Sequence, residues 1–353
     1  MNIVFSFNKK GDEAAFWESE IAAASNRDFR FVPFNHGARL DPSFYPTAVE
    51  LDRLYQAGDQ RLFSLYVEFE RCIQRAGADA VIVANCPPYH PDYLRRVPVY
   101  KALHSADDPG ATYLINIPYL HAYEHVFFVS PTYSRDMEMK EKMRYAGKVN
   151  ADWLPISVFD FECAPERSED ELFTQHRDID IIYVGGFWRQ KLPLLTKVRR
   201  AFGRRFRMYG FFGLKHNLYM KARYGYTGWV APVGIQERVA LYQRARVGIN
   251  IHWNEYGLGN QRLYHLPANG VMQLSDCADS LHRIFEPDRE IVGYRNADDL
   301  IDKLKYFLLN ESEREAVARR AYRRTMRDYR FAGVARQAGV LIRKGMERIA
   351  WMH

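Results

Sequence analysis

The sequence predicts an α/β protein built from two doubly wound domains in tandem, and three observations lead there. Short apolar runs alternate with helically spaced stretches through both halves, the pattern of strands and helices around a parallel sheet. The alternation is interrupted once, over residues 159–178, where the chain turns acidic and polar. A chain of 353 residues is also long for one hydrophobic core, so two domains are its natural division.

In the first half, strands are expected over 2–7, 29–34, 80–84, 112–115, 125–129 and 149–154. Helices are expected over 13–25, 51–76 and 134–146. The run 80–84 is five small apolar residues, a strand buried on both faces. In the second half the strands are 179–184, 206–209, 247–251, 271–274 and 290–294, with helices at 236–245, 298–309, 311–328 and 332–351. The expected boundaries are 1–160 for the first domain and 175–328 for the second. Residues 329–353 form a last helix that packs back on the first domain. Tandem doubly wound domains turn their strand carboxyl ends toward a shared cleft, where ligands bind. This architecture suits a transferase, an epimerase, a two-domain dehydrogenase or a binding protein. No Gly-x-Gly-x-x-Gly follows either first strand, which argues against a dinucleotide enzyme.

Composition narrows the class further. Hydrophobic residues at 47% and charged residues at 26% suit a folded soluble chain. No apolar run approaches the roughly 18 residues of a membrane span. The first apolar run is followed, not preceded, by Lys9 and Lys10, the reverse of a signal peptide, so a cytoplasmic protein is expected. Four scattered cysteines, Cys72, Cys86, Cys163 and Cys277, form no Cys-x-x-Cys pair and indicate neither a zinc site nor a disulfide framework. Lys197, Arg199, Arg200, Arg204, Arg205 and Arg207 lie together without an acid. They suit either a solvated helix face or an anionic surface such as lipid head groups or nucleic acid.

Two clusters carry chemistry. After the strand 179–184 come Gly185, Gly186, Arg189 and Lys191 at a helix start. Glycines admit a ligand close to the backbone, free amides favour a phosphate, and the two cations would steady a leaving diphosphate. An ordinary strand-to-helix turn with solvated cations has the same sequence. The second cluster runs from Asn250 through His252, Glu255, Asn260, Arg262, Tyr264 and His265 to Asn269 and Gly270. So many polar groups at the end of a buried strand are costly unless partnered, and a hydroxyl-rich ligand would partner them. Tyr209, which ends the second strand of this half, is placed in the same set.

The order Asn260-x-Arg262-x-Tyr264-x-x-x-Ala268-x-Gly270, then an apolar strand and Asp276, resembles the spore-maturation-type branch of the group 1 glycosyltransferases. Phe285-Glu286-Pro287 to Tyr294, Asp298-Asp299-Leu300 and the closing helices continue the resemblance. So do Asp107-Asp108-Pro109, 123–134 and Trp153-Leu154-Pro155 in the first half. It implies two Rossmann-like domains in the GT-B fold, in a bacterial or phage enzyme. The donor, a nucleotide-diphosphate-sugar of UDP or GDP type, would sit in the C-terminal domain, with no cofactor or essential metal and a retaining outcome. By that resemblance Gly185, Gly186, Arg189 and Lys191 face the diphosphate. Arg262, Tyr264 and His265 face the donor, and Asn269 and Gly270 shape its pocket, while Tyr209, Asn250, His252, Glu255 and Asn260 are taken with them as donor-binding candidates. Asp107 and Asp108 orient or deprotonate the acceptor, or else cap a helix. Many members carry two glutamates where this chain has Gly257 and His265, so the usual carboxylate contact to ribose is absent, or replaced by Glu255. His265 is equally suited to a packed core position.

Three other activities fit the same residues. They are glycosyl transfer to modified DNA, prompted by the basic stretch from Lys197 to Arg207, sugar-nucleotide epimerisation, and sugar binding without catalysis. The acceptor class stays open among glycan, lipid-linked sugar, protein and modified DNA.

Overall fold

The computed structural model describes the chain outside residues 41–43, 45, 85–87, 106–116, 135–136, 149, 164–165, 253–257 and 352–353. It has two compact units, Met1–Ser157 with Phe331–His353, and Val158–Arg330.

The first unit runs β1 (Asn2–Phe7), α1 (Asp12–Ala23), β2 (Arg30–Asn35), α2 (Ala48–Gln56), α3 (Gln60–Ala76), β3 (Ala80–Ala84), α4 (Pro91–Leu94), β4 (Tyr100–Ser105) and β5 (His125–Phe128). It continues with β6 (Thr132–Ser134), β7 (Met137–Glu138), α5 (Met139–Tyr145) and β8 (Ala151–Trp153). Six parallel strands form one sheet in the order β2-β1-β3-β4-β5-β8. The chain's last helix, Phe331–Ala350, packs on this unit, where Arg336 Nε donates to Ala24 O at 3.0 Å.

Several elements differ from the sequence expectation. The single helix over 51–76 is two, because the Asp59 carboxylate accepts from the Arg61 and Leu62 amides and so starts a new helix at Gln60. The new helix buries Leu62, Leu65, Tyr66, Phe69 and Ile73, a stripe at helical spacing against the sheet. The strand expected over 112–115 lies outside the described residues. The strand between β3 and β5 is β4, hidden in the sequence by polar Lys101, His104 and Ser105. Lys101 is buried there because its ammonium meets the Glu124 carboxylate at 3.1 Å. The helix expected over 134–146 begins later, at Met139, after a short hairpin of β6 and β7.

The second unit has a helix within the acidic, polar stretch that reads as a linker. Ser168 and Glu171 form a capping box that starts α6 (Glu169–Thr174). There follow β9 (Ile179–Val184), α7 (Leu192–Phe202), β10 (Phe206–Tyr209), α8 (Leu214–Tyr224), α9 (Ile235–Gln243), β11 (Ala245–Asn250), α10 (Arg262–Ala268) and β12 (Met272–Ser275). The unit closes with β13 (Val292–Gly293), α11 (Ala297–Leu309) and α12 (Glu311–Asp328). Its five strands are parallel in the order β10-β9-β11-β12-β13. β9 is central, and its side chains alternate between two cores. Ile181 and Tyr183 join Leu192, Leu195, Met208, Val247 and Ile249 on one face. Ile182 and Val184 join Leu241, Tyr242, Leu266 and Val271 on the other. Each such burial is worth roughly 1.5–3 kcal/mol, which fixes β9 and the ends of its neighbours. On β11, a Cβ at Gly248 would lie 2.5 Å from Leu266 Cδ2, so glycine there lets α10 sit close on the sheet.

Candidate functional site

In the second unit the chain leaves β9 toward β10 on one side and returns as β11 on the other. This is a topological switch point, and in open parallel sheets the crevice at the strand carboxyl ends there is where ligands bind. Two cations bridge it. Lys191, in the single 3-10 turn Arg189–Lys191 after β9, donates from Nζ to Ile251 O just past β11, at 2.9 Å. Arg262, the first residue of α10, donates from Nε to Val184 O at 2.6 Å. Its Nη1 donates to Asn250 Oδ1 at 3.1 Å and Ile251 O at 3.3 Å. Its guanidinium lies 4.5 Å above the Tyr183 ring. A Cβ at Gly185 would fall 2.5 Å from Arg262 Nη2 and 2.6 Å from Tyr183 Oη, so this glycine is the space that the guanidinium occupies.

The remaining strand-end groups hold this pair in place. Asn250 is buried and donates from Nδ2 to Ser275 Oγ at 3.1 Å, while its carbonyl accepts from the Tyr294 hydroxyl at 2.9 Å. Both Asp276 oxygens accept from the His252 amide, and Oδ1 also meets His252 Nδ1 at 2.6 Å. Asn260 accepts the Leu263 amide at 3.0 Å, starting α10, and donates to Ile251 O at 3.3 Å.

The electrostatics of the crevice are lopsided. Neither Lys191 nor Arg262 pairs directly with a carboxylate among the described residues, and both donate to the same Ile251 carbonyl. Burial above all, and then the charge of Arg262, lower the Lys191 ammonium from 10.5 to about 8, with Asp276 opposing them. Burial likewise raises the Tyr183 hydroxyl. A buried lysine and a half-buried arginine held by carbonyl dipoles at a switch point have the chemistry to hold an anion with several oxygens. Among the described residues, His252, Asp276 and Cys277 are the only trio of metal-type donors within 4.8 Å of one another. The Asp276 carboxylate of that trio is already bonded to His252.

The structure thus brings together Gly185, Lys191, Asn250, His252, Asn260 and Arg262. Gly186 sits at the rim, 3.4 Å from Trp188 Nε1 at its Cβ position. The carbonyl of Tyr209 accepts the Gly185 amide at 3.0 Å, and its ring packs on the Val184 core. Arg189 points elsewhere, its guanidinium 5.3 Å above the Tyr219 ring. Tyr264 is fully buried, edge-on to Tyr329 at 5.0 Å. His265 is also buried, with Nε2 3.0 Å from Glu162 Oε2. Asn269 donates to Glu162 O and His265 O, both at 2.9 Å. Gly270 makes a left-handed turn (φ 67°) beside Arg177. α10 is about 10 Å long, so its first residue meets the strand carboxyl ends while Asn269 and Gly270 lie near the amino end of β12. Asp107, Asp108 and Glu255 lie outside the described residues.

Sequence reasoning missed Tyr183, Ser275, Asp276 and Tyr294 as supports of the crevice. Ser275 and Asp276 carried the same signal as Asn250, polar residues at the carboxyl end of a buried strand. It also missed Glu162, which burial raises and which His265 and Arg238 more than offset, holding its carboxyl below the ordinary range.

Residues 189–338 match a family model described as glycosyl transferase-like, and that segment contains every crevice residue named above except Tyr183, Val184, Gly185 and Gly186. No curated protein matches the chain in sequence. Solved structures match it along nearly its whole length at low identity. Sucrose-phosphate synthase from Thermosynechococcus elongatus is 10% identical, with 98% of this chain and 99% of that chain covered and a TM-score of 0.62. Anabaena HepE, in complex with UDP and glucose, is 10% identical over 98% and 100%, with a TM-score of 0.63. A putative UDP-N-acetylglucosamine 2-epimerase from Listeria monocytogenes is 13% identical over 98% and 97%, with a TM-score of 0.60.

The fold is GT-B. Each unit is one Rossmann-like domain, and the crevice lies in the second, which supplies most of the matched segment. Fold alone does not separate sugar transfer from epimerisation, because both kinds of protein stand among these neighbours. The basic stretch is largely spent within the fold. Lys197 pairs with Asp298 at 2.7 Å, Arg205 with Asp180 at 2.6 Å and Arg207 with Asp178 at 3.7 Å. Arg199 and Arg200 donate to the carbonyls of Phe206, Thr227 and Tyr224. No helix among the described residues is long and apolar enough to cross a membrane.

Proposed function

We propose that this chain is a glycosyltransferase of the group 1, spore-maturation-like type, moving a sugar from a nucleoside-diphosphate-sugar to an acceptor hydroxyl. The observation that carries the reading is the Lys191–Arg262 pair, a buried and a half-buried cation bridging the switch point of the second domain with no direct carboxylate partner among the described residues. In transfer, the bond from the sugar's anomeric carbon to the diphosphate breaks and negative charge grows on the diphosphate oxygens. Preorganised cations in a water-poor crevice stabilise that charge more in the transition state than in the bound donor. We place the donor in residues 175–328 and the acceptor in residues 1–160, with Asp107 or Asp108 orienting the acceptor hydroxyl. The reaction is metal-independent and retaining, and it takes place in the cytoplasm. Because His265 is turned to Glu162, the donor ribose takes its contact from another group of the 250–262 loop, Glu255 being the carboxylate available in the sequence.

The test is calorimetry with uridine and guanosine diphosphate-sugars on the wild type and on Arg262→Gln. Binding of one donor, lost in the variant, supports the reading. Equal binding by both proteins, or none to any donor by the wild type, refutes it. The Listeria neighbour favours a second reading, epimerisation. Release of an epimerised sugar without any acceptor would decide for it.

A further inference from the structure

Between Asp180 and Glu237 the sequence has eleven Lys and Arg and not one Asp or Glu. Most of the stretch beginning at Lys197 is spent inside the fold, but Arg189, Lys215, Lys221 and Arg223 are exposed and pair with no carboxylate among the described residues. Exposed large apolar side chains collect in the same region. The second unit has seven among the described residues, and five are Trp188 (47% exposed), Phe211 (76%), Leu214 (62%), Leu218 (54%) and Trp229 (59%).

The five sit on three segments that bonds tie into one surface. Phe187, next to Trp188, stacks on His216 of α8 at 4.2 Å and meets Phe212 edge-on at 5.5 Å. The Val230 amide donates to Asn217 Oδ1 at 2.9 Å, which fixes the segment carrying Trp229 against α8. The Gly210 amide donates to Ala231 O at 2.9 Å, which fixes Phe211 beside it. On α8, Leu214, Leu218 and Lys221 share one outer face, at i, i+4 and i+7, while Asn217 and Met220 face the core. Lys215 lies beside that face, and Arg223 is exposed on the other side of the helix.

We propose that this surface docks on an anionic lipid bilayer. Apolar and aromatic side chains cost free energy when left in water, and a cluster of five is more than the scatter of a soluble surface. Trp, Phe and Leu tips with surrounding Lys and Arg are the chemistry of an interfacial segment, where the rings enter the headgroup boundary and the cations meet lipid phosphates. Each cation near such a surface adds attraction that falls off within a Debye length, and no carboxylate in this stretch opposes it. A nucleic acid would use the cations but not the exposed Leu214 and Leu218. The loop from Gly185 to Lys191 borders both the crevice and this patch, so docking brings the crevice rim to the membrane surface. The inference does not depend on which ligand the crevice takes.

The test is co-sedimentation of the full chain with vesicles of phosphatidylglycerol and phosphatidylcholine, and with vesicles of phosphatidylcholine alone. The wild type should partition at least about tenfold more strongly onto the anionic vesicles. Phe211→Ser with Trp229→Ser, and separately Lys215→Glu with Lys221→Glu, should each lower that partition about tenfold while keeping the wild-type thermal midpoint. Equal partition onto both vesicle types would overturn the proposal. So would wild-type binding by both double variants, or tighter binding to duplex DNA that the serine variant leaves unchanged.

Discussion

Replacing Lys191 by methionine should stabilise the ligand-free protein while abolishing donor binding. The buried ammonium sits at about 8 instead of 10.5. That difference makes the charged lysine cost about 3 kcal/mol at pH 7. Methionine removes the cost and loses one hydrogen bond, worth about 1 kcal/mol. The acceptor is not orphaned, because Ile251 O keeps the Arg262 and Asn260 donors, both at 3.3 Å. The net gain is therefore about 2 kcal/mol. Because the folded pKa is the lower one, the penalty is complete below about 8 and fades as the pH rises toward 10.5. Urea unfolding at pH 7 should show the variant more stable, with the gap closing at pH 10. The same titration weakens donor affinity of the wild type by about tenfold between pH 7 and pH 9, since most of the free lysine is then neutral. A nucleotide-sugar is the right probe, because its bridged diphosphate does not titrate there. A variant no more stable than wild type at pH 7, together with donor affinity flat from pH 7 to 9, would refute the reasoning.

Gly185→Ala should lower donor affinity by at least about tenfold, because its Cβ falls 2.5 Å from the Arg262 guanidinium and 2.6 Å from the buried Tyr183 hydroxyl and displaces both; calorimetry reads the affinity, and circular dichroism reads whether the fold is kept. Arg189→Ala, whose guanidinium lies over Tyr219, should leave donor affinity within about threefold by calorimetry. Glu162→Gln breaks the buried contacts to His265 and Arg238 and should cost about 3–5 kcal/mol in urea unfolding. The Glu162 carboxyl is held below its ordinary 4.5, so its contribution is complete above that value and is lost as the pH falls through the lower, folded one. The wild-type advantage over the variant should shrink accordingly in acid.

The crevice was legible at the strand ends and obscure on the helix. Asn250 ends one buried parallel strand and Gly185 follows another, where a polar or missing side chain stands out against apolar neighbours. From Arg262 onward the residues rotate about 100° each, so one short helix sends its side chains in different directions. Arg262 enters the crevice, Tyr264 the core, and His265 the Glu162 carboxylate. A linear pattern gives these residues one role because it does not record rotation. Their partners are equally hidden, since Glu162 lies in a stretch that reads as a linker and Tyr183 inside a strand that reads as core. What separates Arg262 and Lys191 from the other polar residues is physical. His265 is matched by a carboxylate, and Asn269 by carbonyls and an amide, so their burial is compensated inside the fold. Lys191 and Arg262 are cations that share a carbonyl, the charge of Arg262 works against that of Lys191, and among the described residues Asp276 offsets this only in part. Mutual repulsion at the end of a parallel sheet is poor design for stability alone. An anion with several oxygens in the crevice would turn that repulsion to advantage, and this asymmetry is the physical ground for the donor site proposed above.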